Sequence, residues 1–322
     1  MHTSSPTKQY FDIHTSGLAY LHRVREVATS GNGRKAKPYL ACTLKALFGP
    51  ADNYQYRYID TVVSGEKARS LIREYLGVSD PSKLPMIRFH AGDLSLKAFT
   101  RTQGDDAGET GWSMKERLLS AELVDPADLG DIEHYDLITR GIGLLRRPRE
   151  IVTDDGDPAL AFSLVAMSGP TDAPEYQTIN VTVKDGDTTQ LAYRWCVQAV
   201  EARRKVFVSF RLNDLKVRQF IQSSGDDAGQ LDATIDAELI HFGLVKIDGT
   251  VVYKAEPPAS AGTQTEPPAT SYDKAADDGA LEDATVRADS PAAGSDSPSG
   301  STSREDEAPD TASSDPMTAE AA

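Results

Sequence analysis

The sequence predicts a mainly β chain of two copies of one small barrel followed by an acidic tail. Three observations lead there: an internal duplication, strand-like alternation in the same order in each copy, and an abrupt change in composition near residue 256. Residues 38–52 read PYLACTLKALFGPAD and residues 158–172 read PALAFSLVAMSGPTD, with the same residue at eight of fifteen places. Each stretch alternates like a strand (Leu40, Cys42, Leu44, Ala46 against Leu160, Phe162, Leu164, Ala166) and stops at Gly-Pro, where proline denies the ladder a donor. Extended outward, YFDIHTSGLAYLHRVREV (10–27) pairs with HYDLITRGIGLLRRPREI (134–151), and GDDAG occurs at 104–108 and again at 225–229. The unit is therefore about 120 residues, a normal size for one core. We place the repeats at 8–125 and 131–255, and the tail at 256–322.

Within the first repeat the pattern predicts strands near 17–28, 38–48 and 55–64, then a helix over 66–76. There Ala68, Leu71, Ile72, Tyr75 and Leu76 recur on one face. Strands at 86–101 and 112–124, joined by the GDDAG turn, close the unit. Five strands with one helix after the third, β-β-β-α-β-β, is the chain order of an OB-fold barrel. The second repeat follows suit, with a helix around 188–202 and an added hairpin, LVKI-DG-TVVY (244–253), marked by its Asp-Gly turn.

Composition limits function. The tail holds eight Pro, one aromatic (Tyr272) and almost no large aliphatic residue, so it cannot bury enough apolar surface to offset chain entropy and reads as disordered. It also carries most of the acidity. Net charge is +3 over residues 1–125, −6 over 126–255 and −12 over 256–322, so the first repeat is mildly basic although the whole chain is −15. Two cysteines, Cys42 and Cys196, offer neither a disulfide framework nor metal-ligand spacing. No charged segment followed by an apolar run opens the chain, and no window approaches a membrane span, so the expectation is a cytoplasmic protein. The six histidines show no paired spacing with Cys or carboxylates, GDDAG is ordinary turn chemistry, and no phosphate loop or triad is present. We expect no catalytic residues, metal or cofactor.

The chemistry sits on strand faces. Over 94–101, Leu94, Leu96 and Ala98 point one way, while Ser95, Lys97, Phe99 and Arg101 point the other. The second repeat has Leu215 and Val217 inward and Lys216, Arg218, Phe220 and Gln222 outward. A ring between cations on an open face suits single-stranded nucleic acid, since the ring stacks on a base and the cations meet phosphates. The other reading is a phenylalanine capping the barrel beside solvated basic neighbours. Tyr54, Tyr56 and Tyr58 share an outer face beside Arg57, Tyr39 and Lys45 share the outward parity of the preceding strand, and Phe48 ends it. Arg34, Lys35 and Lys37 form a basic loop that is either a phosphate clamp or simply solvated. The second repeat is poorer, with Thr178, Ser168 and Ala159 at the places of Tyr58, Phe48 and Tyr39, so the first repeat is expected to hold nucleic acid more strongly.

These residues resemble the bacterial single-stranded DNA-binding protein (SSB) family. Its hallmark, aromatic-x-x-hydrophobic-hydrophobic-hydrophobic-x-Gly-x-x-Ala, is similar to Tyr58 through Val62, Val63, Gly65 and Ala68, with Thr61 at one apolar place. Its Gly-x-Leu-x-x-x-x-Trp-Thr is similar to Gly92, Leu94, Phe99 and Thr100. The resemblance implies stacking at Tyr58, Phe99 and Phe220, with a third place near Phe48. That family assembles four OB units, so two per chain suggests a homodimer. The tail is SSB-like in acidity but ends PMTAEAA, without the acidic-Ile-Pro-Phe terminus through which the family recruits partners. The chain also looks like a family of replication proteins carried by integrative and conjugative elements, on 10–27 with 37–42 and on 199–215 with 245–255. Together these imply binding of single-stranded DNA without sequence preference, with replication or conjugation proteins as further partners through the tail or second repeat. The alternative is a protein–protein adaptor in a replication or relaxosome complex.

Overall fold

The computed structural model describes residues 10–29, 36–102, 107–130, 132–153, 156–184, 186–223, 225 and 228–256. In the first repeat, β1 (Tyr10–Phe11) and β2 (His14–Thr29) precede β3 (Ala36–Pro50), β4 (Gln55–Val63), helix α1 (Glu66–Arg73), β5 (Met86–Thr100) and β6 (Thr110–Val124). The second runs β7 (His134–Tyr135), β8 (Ile138–Val152), β9 (Pro158–Pro170), β10 (Glu175–Val183), α2 (Gly186–Leu191), α3 (Gln198–Glu201), β11 (Val206–Ile221), β12 (Leu231–Ile247) and β13 (Thr250–Lys254). A π-helical turn, Ala192–Val197, joins α2 to α3, so the predicted helix near 188–202 is one element. The mainly β class and five-stranded barrels expected from the sequence are what the chain forms.

Each barrel closes by the same rule. β2, β3, β4, β6 and β5 form a ring in which only β4 and β6 run parallel. β8, β9, β10, β12 and β11 repeat it, with β10 and β12 parallel. Alternation decides which residues fill them: Leu44, Ile59, Met114 and Leu118 are buried in the first, and Leu164, Ile179, Leu239 and Phe242 in the second. The helix plugs the barrel. Gly65 starts it, and a Cβ there would stand 1.7 Å from the Leu119 carbonyl oxygen, so only glycine lets α1 approach β6. Ala68 and Ile72 are buried as expected, but Leu76 is exposed. The helix ends at Arg73 because Glu74, Tyr75 and Leu76 donate three residues back, tightening the last turn before Gly77 at φ +79°.

Among the described residues, three strand pairings join the barrels within one compact unit. β2 pairs with β8 through His14–Arg140, Thr15–Thr139 and Ser16–Ile138, which makes a six-stranded sheet, β6-β5-β2-β8-β11-β12. β1 leaves its own repeat to pair with β9 of the second, and β7 crosses the other way to pair with β3. These two-residue strands are counterparts in the duplication, so the exchange is reciprocal. Leu137, just after β7, is fully buried, with a methyl 3.4 Å from where a Cβ on Gly17 would stand.

Bulges recur at equivalent places. Register slips occur at Arg23 and Arg147, with φ of 48° and 52°, and at Asp93 and Asp214, with φ of 58° and 53°. A bulge bends and twists a strand, and the second pair turns the ends of β5 and β11 out of their barrels. The DG hairpin forms as read, with Asp248 and Gly249 both at positive φ and Ile247 paired to Thr250. Loop 30–35, the Asp pairs of both GDDAG stretches and the tail beyond Glu256 lie outside the described residues. No described helix is long and apolar enough to cross a membrane, and no described cluster of three His, Cys, Asp or Glu side chains is placed to hold a metal.

Candidate nucleic-acid interface

Beyond the Asp93 bulge, β5 and β6 continue as a two-stranded arm, with Asp93 ion-paired to Arg117 at its root. Alternation then sets one face. Ser95 lies opposite Lys115, Lys97 opposite Ser113 and Phe99 opposite Gly111. A Cβ on Gly111 would come within 2.7 Å of the Phe99 ring, so the absent side chain lets the ring lie against bare backbone. Phe99 is 44% exposed all the same. Ala98, expected inward, is exposed because the arm has left the barrel; Leu96 still packs on the core.

The neighbouring strands extend this face. Asp60 on β4 sits beside Lys115, and Tyr58 sits between its β4 neighbours and Lys45 of β3. Tyr58 is 54% exposed, and Tyr39 and Tyr54 are also open to solvent. Lys45, Lys97 and Lys115 enter no ion pair among the described residues. The Lys45 ammonium stands 3.7 Å over the Tyr56 ring. The local field is visible in His22: burial, with Arg23 and Lys45 close by, pushes its pKa below the ordinary value.

Three expected site residues sit elsewhere. Arg57 shares the inward parity of Ile59, not that of the tyrosines, and its Nε donates to Asp214 of the second repeat at 2.6 Å, the two side chains only 15% and 18% exposed. It ties the barrels together. Phe48 is half-buried against the core, 5.4 Å from the Arg57 guanidinium and edge-on to His134 of β7 at 5.7 Å. Tyr56 packs into a small cluster around Leu18, Leu47 and Met86, roofed by Leu129, Ile132 and Tyr135 of the connection between repeats. Its hydroxyl is pushed up to about 12, chiefly by the hydrogen bond to Tyr54 and then by burial. Arg101 closes the turn at the arm's tip through backbone bonds with Gly108 and Glu109.

The second arm has the same backbone and different chemistry. Lys216, Arg218 and Phe220 stand outward as expected, Phe220 being 37% exposed with the Arg218 guanidinium 5.9 Å from its ring. Their cross-strand neighbours, however, are Asp236, Thr234 and Asp232, where the first arm has Lys115, Ser113 and Gly111. Arg218 donates to Asp236 at 2.5 Å, Asn180 reaches the same carboxylate at 3.3 Å, and Gln222 donates to Asp232 at 2.8 Å. This face is neutralised from within. Alternation over 111–115 carries the signal for Lys115 and Gly111, but only the register shows that they stand opposite Ser95 and Phe99.

A family model matches residues 4–125 and again 129–261, one match per barrel. The chain belongs to that family, described as Protein of unknown function (DUF3577). No curated protein matches it. Among solved structures, this family member is similar to the wild-type single-stranded DNA binding protein from Thermus aquaticus, at 12% identity over 78% of this chain and 96% of that one, with a TM-score of 0.39. A deletion mutant of the same protein gives 12% identity, 78% and 98% coverage and a TM-score of 0.38. A Replication Protein A heterotrimer bound to single-stranded DNA gives 12% identity over 73% of this chain and 50% of that one, with a TM-score of 0.17.

Proposed function

We propose that the chain binds single-stranded DNA without sequence preference, chiefly through the first repeat, in the replication or transfer of an integrative or conjugative element. The observation that carries this is the Phe99 ring, held against Gly111 and open to solvent at the outer end of a face that also carries Lys97 and Lys115. A ring so placed can stack on any base, and the ammonium groups beside it can displace counterions from the flanking phosphates. Tyr58 and Lys45 continue the track. We read the protein as a non-catalytic, cytoplasmic binder that works as a homodimer, a state that sedimentation would report. Titration of fluorescent oligothymidylate at several salt concentrations tests the reading. Binding should weaken steeply with salt and drop in the Lys97→Ala/Phe99→Ala/Arg101→Ala variant; no binding at low salt, or none of that drop, rejects it.

A protein-adaptor role is favoured by one observation at the second arm. There Phe220 is joined by Ile221 and Leu231, paired across the tip and both exposed, beside cations already matched by aspartates. An apolar tip with balanced charge suits a protein surface better than a phosphate chain. Retention of a protein partner after nuclease treatment, lost in Phe220→Ala/Ile221→Ser, supports that role; retention by the variant excludes it.

A further inference from the structure

Past Asp93, β5 loses one neighbour. Its pairing with β2 ends at Gly92, opposite His14, while its pairing with β6 runs on from Ser95 to Thr100. The first arm is therefore a two-stranded ribbon, which is marginal in water and twists readily unless something outside it holds it. Its open edge turns to the other repeat. β5 comes close to β9, β10 and β12 of the second barrel, and the Leu96 N–H donates to Gln177 Oε1 of β10 at 3.3 Å in a partly buried setting. The Gln177 Nε2 donates to the Thr178 carbonyl at 3.0 Å, so both ends of the side-chain amide are engaged and its oxygen is turned to the arm.

This contact is one half of a reciprocal arrangement. Gln177 is the counterpart of Arg57, as Tyr176 and Ile179 are of Tyr56 and Ile59, and Arg57 reaches Asp214, the residue of the second arm equivalent to Asp93. Each barrel thus holds the arm of the other from the same strand position. The two holds differ in kind. Arg57 takes a side chain at the root of the second arm, whereas Gln177 takes backbone farther out on the first, next to Lys97 and one turn of the pleat before Phe99. An arginine at 177 could not accept from an amide, so the second repeat carries the residue type that the first arm requires.

We propose that Gln177 is a positioning residue for the DNA site of the first repeat: acting through Leu96, it sets the pose of Lys97 and of the Phe99 ring from the other barrel. A ribbon free to swing about its root must be ordered when a strand binds, and the Gln177 bond supplies that order beforehand. The proposal rests on the reading of the Phe99 face and adds that this face is built by both repeats. The second repeat, although its own arm is neutralised, then contributes to binding at the first.

The test uses the full chain and fluorescent oligothymidylate. Gln177→Ala should weaken binding about three- to tenfold, leave the salt slope unchanged because no cation is lost, and speed hydrogen exchange at the Leu96 amide, read by NMR. Gln177→Met, close in volume but without the carbonyl, should do the same and takes over if the alanine variant melts early. In a Phe99→Ala background either change should cost little more, since the ring whose pose it governs is gone. An equal loss with and without the ring overturns the proposal and assigns Gln177 to holding the barrels together. Wild-type affinity in both Gln177 variants, with Phe99→Ala still weakened, overturns the role of Gln177 and leaves the Phe99 face standing. A wild-type chain that does not bind at low salt removes both.

Discussion

The hydroxyls of Thr15 and Thr139 meet at 3.1 Å where β2 of one repeat pairs with β8 of the next, each residue the other's counterpart in the duplicated sequence. Symmetry breaks one bond away. Thr15 donates to Glu116 Oε1 at 2.7 Å, and the place of Glu116 in the second barrel is taken by Ala237. The Glu116 carboxyl is fully enclosed and its Oε2 has no hydrogen-bond partner among the described residues, so burial, opposed by the Thr15 bond and aided by Asp93, pushes its pKa up to about 8.

That shift fixes a sign. Between the ordinary carboxyl value of 4.5 and about 8, folded Glu116 keeps a proton that the unfolded chain has released, so its contribution to stability falls as pH rises through that window and levels off above it. Glu116→Gln should remove the slope: melting temperatures of wild type and variant should diverge from pH 5 to about 8, with the variant gaining. Parallel curves would show that the carboxyl ionises normally.

Phe99→Ala should cost about 1–3 kcal/mol of oligothymidylate affinity, the range for one stacked base, with little change in salt slope. Phe220→Ala should cost far less, since Arg218 beside it is already engaged by Asp236. Equal losses at the two positions would contradict the asymmetry of the arms.

Replacing Asp232 with Gly and Asp236 with Lys would give the second arm the cross-strand neighbours of the first. Affinity for a long oligonucleotide should rise and the salt slope should steepen by about two, one for the added lysine and one for the Arg218 that Asp236 no longer holds. Titration of the double variant against wild type reads both.

Arg57 and Asp214 should show coupling of about 1–2 kcal/mol in a double-mutant cycle of urea midpoints, since the pair is largely shielded and within hydrogen-bond reach. Coupling near zero would mean that this pair does not help hold the barrels together.

Gly65→Ala should destabilise by more than about 3 kcal/mol, because the new methyl meets a backbone carbonyl that cannot step aside. A wild-type melting curve for this variant would require α1 to sit farther from β6.

Much of this was legible because the sequence states it twice. Alternation in two aligned copies exposed the strands, the Asp-Gly pair marked the last hairpin, and Phe99 and Phe220 could be turned outward by parity alone. What parity cannot show is a partner far along the chain. Arg57 was read with the tyrosines on an outer face, although it shares parity with Ile59, and its true destination, Asp214, lies 157 residues away. Phe48 and Tyr56 are covered for a related reason: the connection between repeats folds back over them, and nothing periodic in residues 126–135 announces a cover. β1 and β7 are two residues long, below the reach of any alternation.

The exchanged strands have a consequence for the history of this molecule. A solitary ancestral copy, lacking a neighbour's Tyr10–Phe11 or His134–Tyr135, would present a bare edge at Gly49–Pro50 or its equivalent and an empty slot where Leu137 now sits. Once the gene had doubled and each half came to complete the other, neither could be discarded. One copy could then shed its cations and drift toward a new task while remaining indispensable to its twin.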